Sequence, residues 1–246
     1  MFEINMLAVN PEVTLSLNYQ PEVHNALAKH GVEAVYCRFR HRNFWIILLN
    51  RSDIINHAIQ SIKAEDYLEI GCAQNDNFDK IKIHNKVGID PNSGGTLRMT
   101  SDEFFKVNLM KYDVIFIDGL HEHTQVWQDF QNAVKVLRPN GIIVLHDMLP
   151  PGESQAVWPM PDLQKNHAPR CGTSWRATFD ILKLQKEYFI IDRETGIAIW
   201  RNNDVPNDIN TNAETITWNE FQEFRMNPGL IILDTVTALQ PMYKLI

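Results

Sequence analysis

The chain has 246 residues, 23 of them Lys or Arg and 30 Asp or Glu, which gives a formal charge of -7 and room for one decorated domain or two small ones. Hydrophobic residues at 44%, with only 11 Gly and 12 Pro, exclude a disordered, collagen-like or low-complexity chain. The negative balance argues against nucleic acid or an anionic membrane as partner, although Arg38, Arg40, His41 and Arg42 form one basic run, read as a solvated face ahead of a small-anion site.

Residues 1–50 are read as a cap segment. Their best apolar run, Phe44 to Asn50, stops at Arg51, far short of the ~18 residues a membrane span needs. No basic-then-apolar leader is legible at Met1, and Cys37, Cys72 and Cys171 are too few and too scattered for a disulfide framework, so a cytoplasmic location is expected. Cys72 and Cys171 are read as small buried residues, because neither has a basic neighbour in sequence.

From Asp66 to Arg201, short apolar runs alternate with longer amphipathic ones, the pattern of parallel strands joined by crossover helices. A helix with Ser52 as N-cap and Ile54, Ile55, Ala58, Ile59 and Ile62 on one face leads into the first strand, Tyr67–Ile70. Further strands are expected at 86–90, 112–118 and 141–146, with an amphipathic helix over Val126–Leu137 that Pro139-Asn-Gly141 breaks. Ser101 reads as a helix cap with Phe104 and Phe105 in the core. A helix over Trp175–Lys186 is followed by a hairpin, Tyr188–Asp192 with Gly196–Trp200. Residues 148–171 lack periodicity and hold five prolines, which suggests a lid loop. An Asn/Asp-rich connector at 202–212 precedes Trp218, Phe221 and Phe224, whose helical spacing suggests a tail (203–246) packed on the domain or on a second subunit.

In open α/β sheets ligands bind beyond the carboxyl ends of the strands. Here those ends carry Glu69-Ile-Gly71-Cys72, Asp90, Asp118-Gly119 and His146-Asp147. The Gly-x-Gly-x-x-Gly turn of a nicotinamide site is missing, and Glu69 would repel a pyrophosphate, whereas a phosphate-free ligand with sulfonium and ammonium charges suits acidic surroundings. Asp90, 19 residues after Gly71, is placed to accept hydrogen bonds from ribose hydroxyls.

Tyr67-Leu-Glu-Ile-Gly71, Gly88-Ile-Asp-Pro91, Thr100-Ser-Asp-Glu-Phe-Phe105, Ile115-Phe-Ile-Asp-Gly-Leu-His121 and Val144-Leu-His-Asp147, in this order, resemble the class I S-adenosylmethionine-dependent methyltransferases, in particular small bacterial proteins related to catechol and sugar O-methyltransferases. The resemblance spans about residues 50–200. It implies a doubly wound, mostly parallel, seven-stranded Rossmann-like α/β sheet with a C-terminal antiparallel hairpin, and a methyltransferase domain over 51–202. It also implies S-adenosylmethionine contacts from Glu69, Gly71 and Cys72 on the methionine side, Asp90 on the ribose, Ser101 and Asp102 on the adenine, and Asp118 on the floor. Ala73 and Asn75 depart from it, because many relatives have another glycine there.

Methyl transfer requires the nucleophile to be aligned, shielded from water and relieved of its proton. His121 is the first candidate base and His123 the second. Asp118 and His146 complete the catalytic set. Asp118, His146 and Asp147 form a metal set by analogy with the magnesium site of catechol-type relatives. His146 there suits manganese, zinc or iron better than magnesium. The expected activity is methyl transfer to a small polar acceptor at oxygen, a sugar or hydroxylated metabolite. The rival readings are a nicotinamide enzyme on the same fold and a non-catalytic binding protein on a degenerate methyltransferase scaffold.

Overall fold

The computed structural model describes residues 33–39, 42–48, 50–159, 170–184, 187–201, 215–226 and 232–233. Most of the cap segment, the centre of the lid (160–169) and the 202–212 connector lie outside the described residues, as do the side chains of Cys37 and of the 38–42 basic run. Two compact units are present, Met1–Leu49 and Asn50–Ile246. In the first, β1 (Glu33–Phe39) and β2 (Arg42–Leu48) pair as an antiparallel hairpin, from Glu33 opposite Leu48 to Phe39 opposite Arg42.

The second unit opens with α1 (Arg51–Ile62). Its cap is Asn50 rather than Ser52: the Asn50 side chain accepts from the Asp53 N–H, and the Asp53 carboxylate accepts from the Asn50 N–H. Ser52 is buried instead and donates to Asn77 Oδ1 at 2.9 Å. The sequence holds both Asn50 and Ser52 ahead of the apolar face, and the reciprocal bond with Asp53 three residues on selects the earlier one.

Then follow β3 (Asp66–Ile70), β4 (Asn85–Ile89), α2 (Ser101–Val107), β5 (Tyr112–Ile117), α3 (His123–Val136) and β6 (Leu137–Leu145). After these come α4 (Ala177–Lys183), β7 (Glu187–Ile191), β8 (Ile197–Arg201), α5 (Trp218–Met226) and the two-residue β9 (Ile232–Leu233). The α2 cap is likewise one residue earlier than the sequence suggests: Thr100 pairs with Glu103 in a capping box, which leaves Ser101 inside the helix and beside the pocket.

The sheet order is β4-β3-β5-β6-β8-β7-β9. The strands β4, β3, β5 and β6 run parallel, β8 is antiparallel to β6, and β7 is antiparallel to β8. This is a Rossmann-like α/β arrangement with six full strands in a mixed sheet. The seventh position is only the pairing of Ile232 and Leu233 with β7. Beyond β4, a single parallel bridge between Ile89 and Leu97 stands where a further strand would lie. The β3-to-β4 crossover holds one 3-10 turn, Phe78–Lys80, because only 17 positions separate Gly71 from Gly88.

Strand alternation divides the core. Leu68, Ile70, Ile115, Ile117, Ile143 and Leu145 cluster with Val126, Phe130, Ala133 and Val134 of α3. Tyr67, Glu69, Val114, Phe116 and Val144 occupy the opposite pleats and are buried. Each fully buried aliphatic side chain of this kind contributes about 1.5–3 kcal/mol relative to exposure. The chain passes from β4, outside β3, to β5 on its other side, so the order reverses at β3, and a crevice opens at the carboxyl ends there. In α5, Trp218 and Phe221 pack their rings on Trp175, and Phe221 and Phe224 on Phe179. No helix among the described residues is long and apolar enough to cross a membrane.

Candidate functional site

A cleft of about 890 Å³ lies across the carboxyl ends of β3, β4, β5 and β6. Its lining includes Gly71, Asp90, Ser101, Asp102, Asp118, His121, His146 and Asp147. Most of the residues singled out from the sequence therefore share one cavity.

Two do not line it. Glu69 sits on the alternate pleat from pocket-lining Ile70, where it accepts from Tyr67 Oη at 2.6 Å and Asn77 Nδ2 at 2.8 Å. Burial raises its carboxyl to about 7, against the opposing pull of those two donors. The carboxyl is therefore held in a structural network with Tyr67 and Asn77 beneath the loop. Cys72 is also buried, against Gly88, and burial pushes its thiol up to about 12.

The β3–β4 loop keeps a glycine-like path without the glycines. Gly71 (φ +87°), Ala73 (φ 44°) and Asn75 (φ 69°) all take the left-handed conformation. At Gly71 a Cβ would meet the Asp118 carbonyl oxygen at 2.1 Å, so only glycine fits. Asn tolerates this region, and the Asn75 side chain is used there, accepting from Gly95 N–H at 2.7 Å. Asp90 ties the loop to β4: its carboxylate accepts from Ala73, Asn92 and Ser93 N–H at 2.8–2.9 Å. Burial works against its charged form, but these three donors outweigh it and hold the carboxyl below the usual range. Three bonds leave the carboxylate one accepting position for a ribose hydroxyl.

At one end of the cleft, Gln125 Nε2 on α3 donates among Ser101 Oγ, Asp102 Oδ1 and Asp129 Oδ1 at 3.0–3.2 Å. Asp129 is buried, which raises its carboxyl to about 6 despite bonds from Ser101 and Gln125. Ile70, Ile89, Met99 and Leu120 supply apolar surface nearby.

At the other end, Asp118, His121, His146 and Asp147 converge. Asp118 Oδ1 lies 3.3 Å from both His121 Nε2 and His146 Nδ1. Asp147 reaches His121 Nδ1 at 3.1 Å and His146 Nδ1 at 3.3 Å, and accepts from the Thr195 hydroxyl. Arg51 Nη1 stands on Asp118, and Arg51 Nε is 3.0 Å from Glu194 Oε2. Burial would raise the Asp118 carboxyl, but the two histidines hold it far below the usual range. The same carboxylates overcome burial to raise His121 to about 8 and His146 well above its ordinary value. Glu194 is held down to about 2 by His146 and Arg51, again against burial.

His121 is fixed by the segment that leads into α4. Its Nδ1 donates to the Arg170 carbonyl at 2.5 Å, and its own carbonyl accepts from Thr173 N–H at 2.8 Å. A Cβ at Gly172 (φ +56°) would lie 1.9 Å from that carbonyl oxygen, so the close approach requires glycine. His123 is not in the cleft: it is buried, with Nε2 2.8 Å from Asp180 Oδ2 on α4. It joins two helices rather than serving as a base. Cys171 is buried, and burial together with Asp147 raises its thiol.

The residues fit both implied groups. Six carboxylates (Asp90, Asp102, Asp118, Asp129, Asp147 and Glu194) against Arg51 and Arg170 make the lining suitable for a cationic ligand, and the volume suits a nucleoside with an acceptor beside it. Asp118, His121 and Asp147 present ligand atoms within 4.8 Å of one another, a set that a metal ion can use. The set expected from sequence had His146 in place of His121, and the structure brings both rings to the same carboxylates.

Arg51, Gln125, Asp129, Glu194 and Thr195 escaped the sequence reading. Topology could have supplied three of them, Arg51, Glu194 and Thr195, because α1 starts and the β7–β8 turn folds at the carboxyl edge of the sheet. Helical spacing could have supplied Gln125 and Asp129, one turn apart on α3.

Residues 68–148 match the family model described as a methyltransferase domain. No curated protein matches significantly. Solved structures similar to this chain include a provisionally assigned caffeoyl-CoA O-methyltransferase from Staphylococcus aureus, at 17% identity and a TM-score of 0.47, covering 75% of this chain and 93% of that one. An O-methyltransferase from Bacillus cereus in complex with S-adenosylhomocysteine (SAH) is 14% identical, with a TM-score of 0.44 and coverage of 74% and 89%. The SAH-bound Podospora anserina methyltransferase PaMTH1 is 12% identical, with a TM-score of 0.43 and coverage of 78% and 100%. At such scores these likenesses carry no functional argument. The matched stretch, about a third of the chain, runs from β3 to just beyond Asp147 and contains four strand ends that build the cleft, so that this part of the chain matches a methyltransferase domain.

Proposed function

We propose that this protein transfers the methyl group of S-adenosylmethionine to a hydroxyl oxygen of a small polar acceptor, such as a sugar or another hydroxylated metabolite. The observation that carries this reading is the placement of Asp118, His121 and Asp147 in the same cleft as Asp90, Ser101 and Asp102. A nucleoside end and a proton-handling end thus face one another across one cavity.

Asp90 accepts from a ribose hydroxyl, while Ser101, Asp102 and Gln125 present polar edges to the base and Met99 and Leu120 its apolar cover. S-adenosylmethionine supplies, when bound, a sulfonium methyl carbon open to in-line attack. As the acceptor oxygen forms its bond to that carbon, the carbon–sulfur bond breaks and its electron pair stays on sulfur, leaving SAH. The acceptor hydroxyl must give up its proton, and the cleft directs it toward Asp118, His121 and Asp147. Asp118, His121 and Asp147 would hold a divalent ion, which when bound lowers the pKa of a hydroxyl in contact with it. Arg170, whose carbonyl takes His121 Nδ1, lines the cleft on that side.

Incubating the purified chain with methyl-labelled S-adenosylmethionine and a panel of sugars, catechols and hydroxy acids tests the proposal. Labelled methyl ether and SAH are expected with at least one acceptor. Binding of SAH without turnover across a broad panel would favour a non-catalytic scaffold instead.

A further inference from the structure

Two residues beyond His121, the chain makes a second buried contact with the segment that holds His121. His123, the first residue of α3, is 4% exposed, and its Nε2 lies 2.8 Å from the fully buried Asp180 Oδ2 on α4. Thr173, itself buried, stands between the two contacts. Its N–H donates to the His121 carbonyl and its Oγ1 accepts from the His123 N–H, both at 2.8 Å. With His121 Nδ1 on the Arg170 carbonyl, four bonds join residues 121–123 to residues 170–180.

These bonds set a direction. A carbonyl only accepts, so the Arg170 oxygen places the proton of a neutral His121 ring on Nδ1 and turns Nε2 to Asp118 Oδ1, 3.3 Å away. That choice of tautomer lasts only while the Arg170 carbonyl keeps its place. Arg170 precedes the 3-10 turn Ser174–Arg176 and has no regular element of its own, so Thr173 and Asp180 supply its anchorage to the 121–123 turn. The His123–Asp180 pair is a poor stabiliser in itself. Burying both groups costs desolvation that their attraction only about offsets, and His123 Nδ1 is buried without a hydrogen-bond partner among the described residues. Exchanging such a pair for apolar side chains of similar volume is often neutral or stabilising, but packing lacks the directionality of a hydrogen bond.

We propose that Thr173 and the His123–Asp180 pair are positioning residues for His121, holding the Arg170 carbonyl on Nδ1 so that Nε2 faces Asp118 and the cleft. None of the three lines the cleft, so they act on the reaction only through His121. Their effect on turnover rests on the methyl-transfer reading; the tautomer of His121 does not.

The full-length chain, labelled with 15N-histidine, is studied by long-range 1H–15N correlation at about pH 9.5, where a ring that titrates at about 8 is neutral. His121→Gln assigns the signal. The parent is expected to show His121 as the Nδ1–H form. Thr173→Val, which loses the hydroxyl acceptor, and the double variant His123→Phe/Asp180→Leu should each move His121 toward the Nε2–H form, while Thr173→Ser keeps the parent pattern. With an acceptor from the panel, kcat should fall by roughly 10- to 100-fold in the first two proteins, with KM for S-adenosylmethionine within about twofold of the parent and thermal melting little changed. An unchanged His121 tautomer in folded variants overturns the proposal, as does a fall in kcat that only tracks lost stability. Should the variants not fold, the parent spectrum decides: an Nε2–H His121 overturns the assignment and an Nδ1–H ring supports it. A parent with no methyl transfer to any acceptor counts against the methyl-transfer reading, while the tautomer shift still reads the positioning.

Discussion

Glu194, in the turn between β7 and β8, accepts from the backbone N–H of Arg51 at 3.0 Å, which fastens the first turn of α1 to the far end of the sheet. The same carboxylate takes the Arg51 guanidinium and His146 Nε2. Glu194 itself has φ 51° and Asp147 φ 63°, two non-glycine residues in the left-handed region at the same site. Each such conformation costs of order 1 kcal/mol or more and persists because the surrounding bonds determine it. Predictions for the site follow from the bonds each residue makes.

Replacing His121 with Gln removes a ring anchored between Arg170, Asp118 and Asp147. Turnover should fall by ~10²-fold or more, while SAH affinity changes by less than about threefold, because the proposed adenosine contacts, Asp90, Ser101 and Asp102, lie elsewhere in the cleft. Steady-state kinetics and calorimetry on the same preparations check this. Unchanged turnover would remove His121 from the chemistry.

Asp90→Ala should weaken SAH binding by roughly 10- to 100-fold, since hydrogen bonds to a charged group are worth about 1.5–3 kcal/mol. Part of that loss comes through the loop, whose Ala73 N–H bonds to Asp90. Asp90→Asn, which keeps one carbonyl oxygen, should lose less. Equal affinity in all three proteins would place the ribose elsewhere.

Glu69→Gln should change how stability depends on pH. The Glu69 carboxyl titrates at about 7 when folded, against 4.5 ordinarily, so between these values the folded chain binds the extra proton. Its contribution is fully present below pH 4.5 and is lost as the pH rises through about 7. The shift corresponds to about 3 kcal/mol. Urea unfolding should therefore show a Gln variant that gains on the parent between pH 5 and pH 8; a constant difference would contradict the assignment.

Gly71→Ala places a methyl group against the Asp118 carbonyl oxygen, in a conformation that alanine disfavours. A loss of several kcal/mol in stability is expected, together with loss of SAH binding, by thermal melting and calorimetry. Retention of both would mean that the loop has an alternative path.

The strand ends were legible in sequence because polar residues stop apolar runs, and Asp90, Asp118, His146 and Asp147 are such stops. Glu69 shares that signature but faces the other pleat, a distinction that a period of two makes only once the covered face is known. His123 resembled a base until α4 supplied Asp180, 57 residues away in sequence. Arg51 and Glu194, 143 residues apart, meet only because the last strands run antiparallel, a topological fact that no local pattern encodes.

The stretch shared with the methyltransferase family ends at residue 148, yet Arg170, Glu194 and Thr195 lie beyond it. A fragment trimmed to that shared stretch would retain Asp90, Ser101 and Asp102 and be missing the supports that steer both imidazoles. The Asp90–Asp102 side of the cavity is thus written into the common stretch, and the side around Asp118 and His146 is finished by the chain's own later segments.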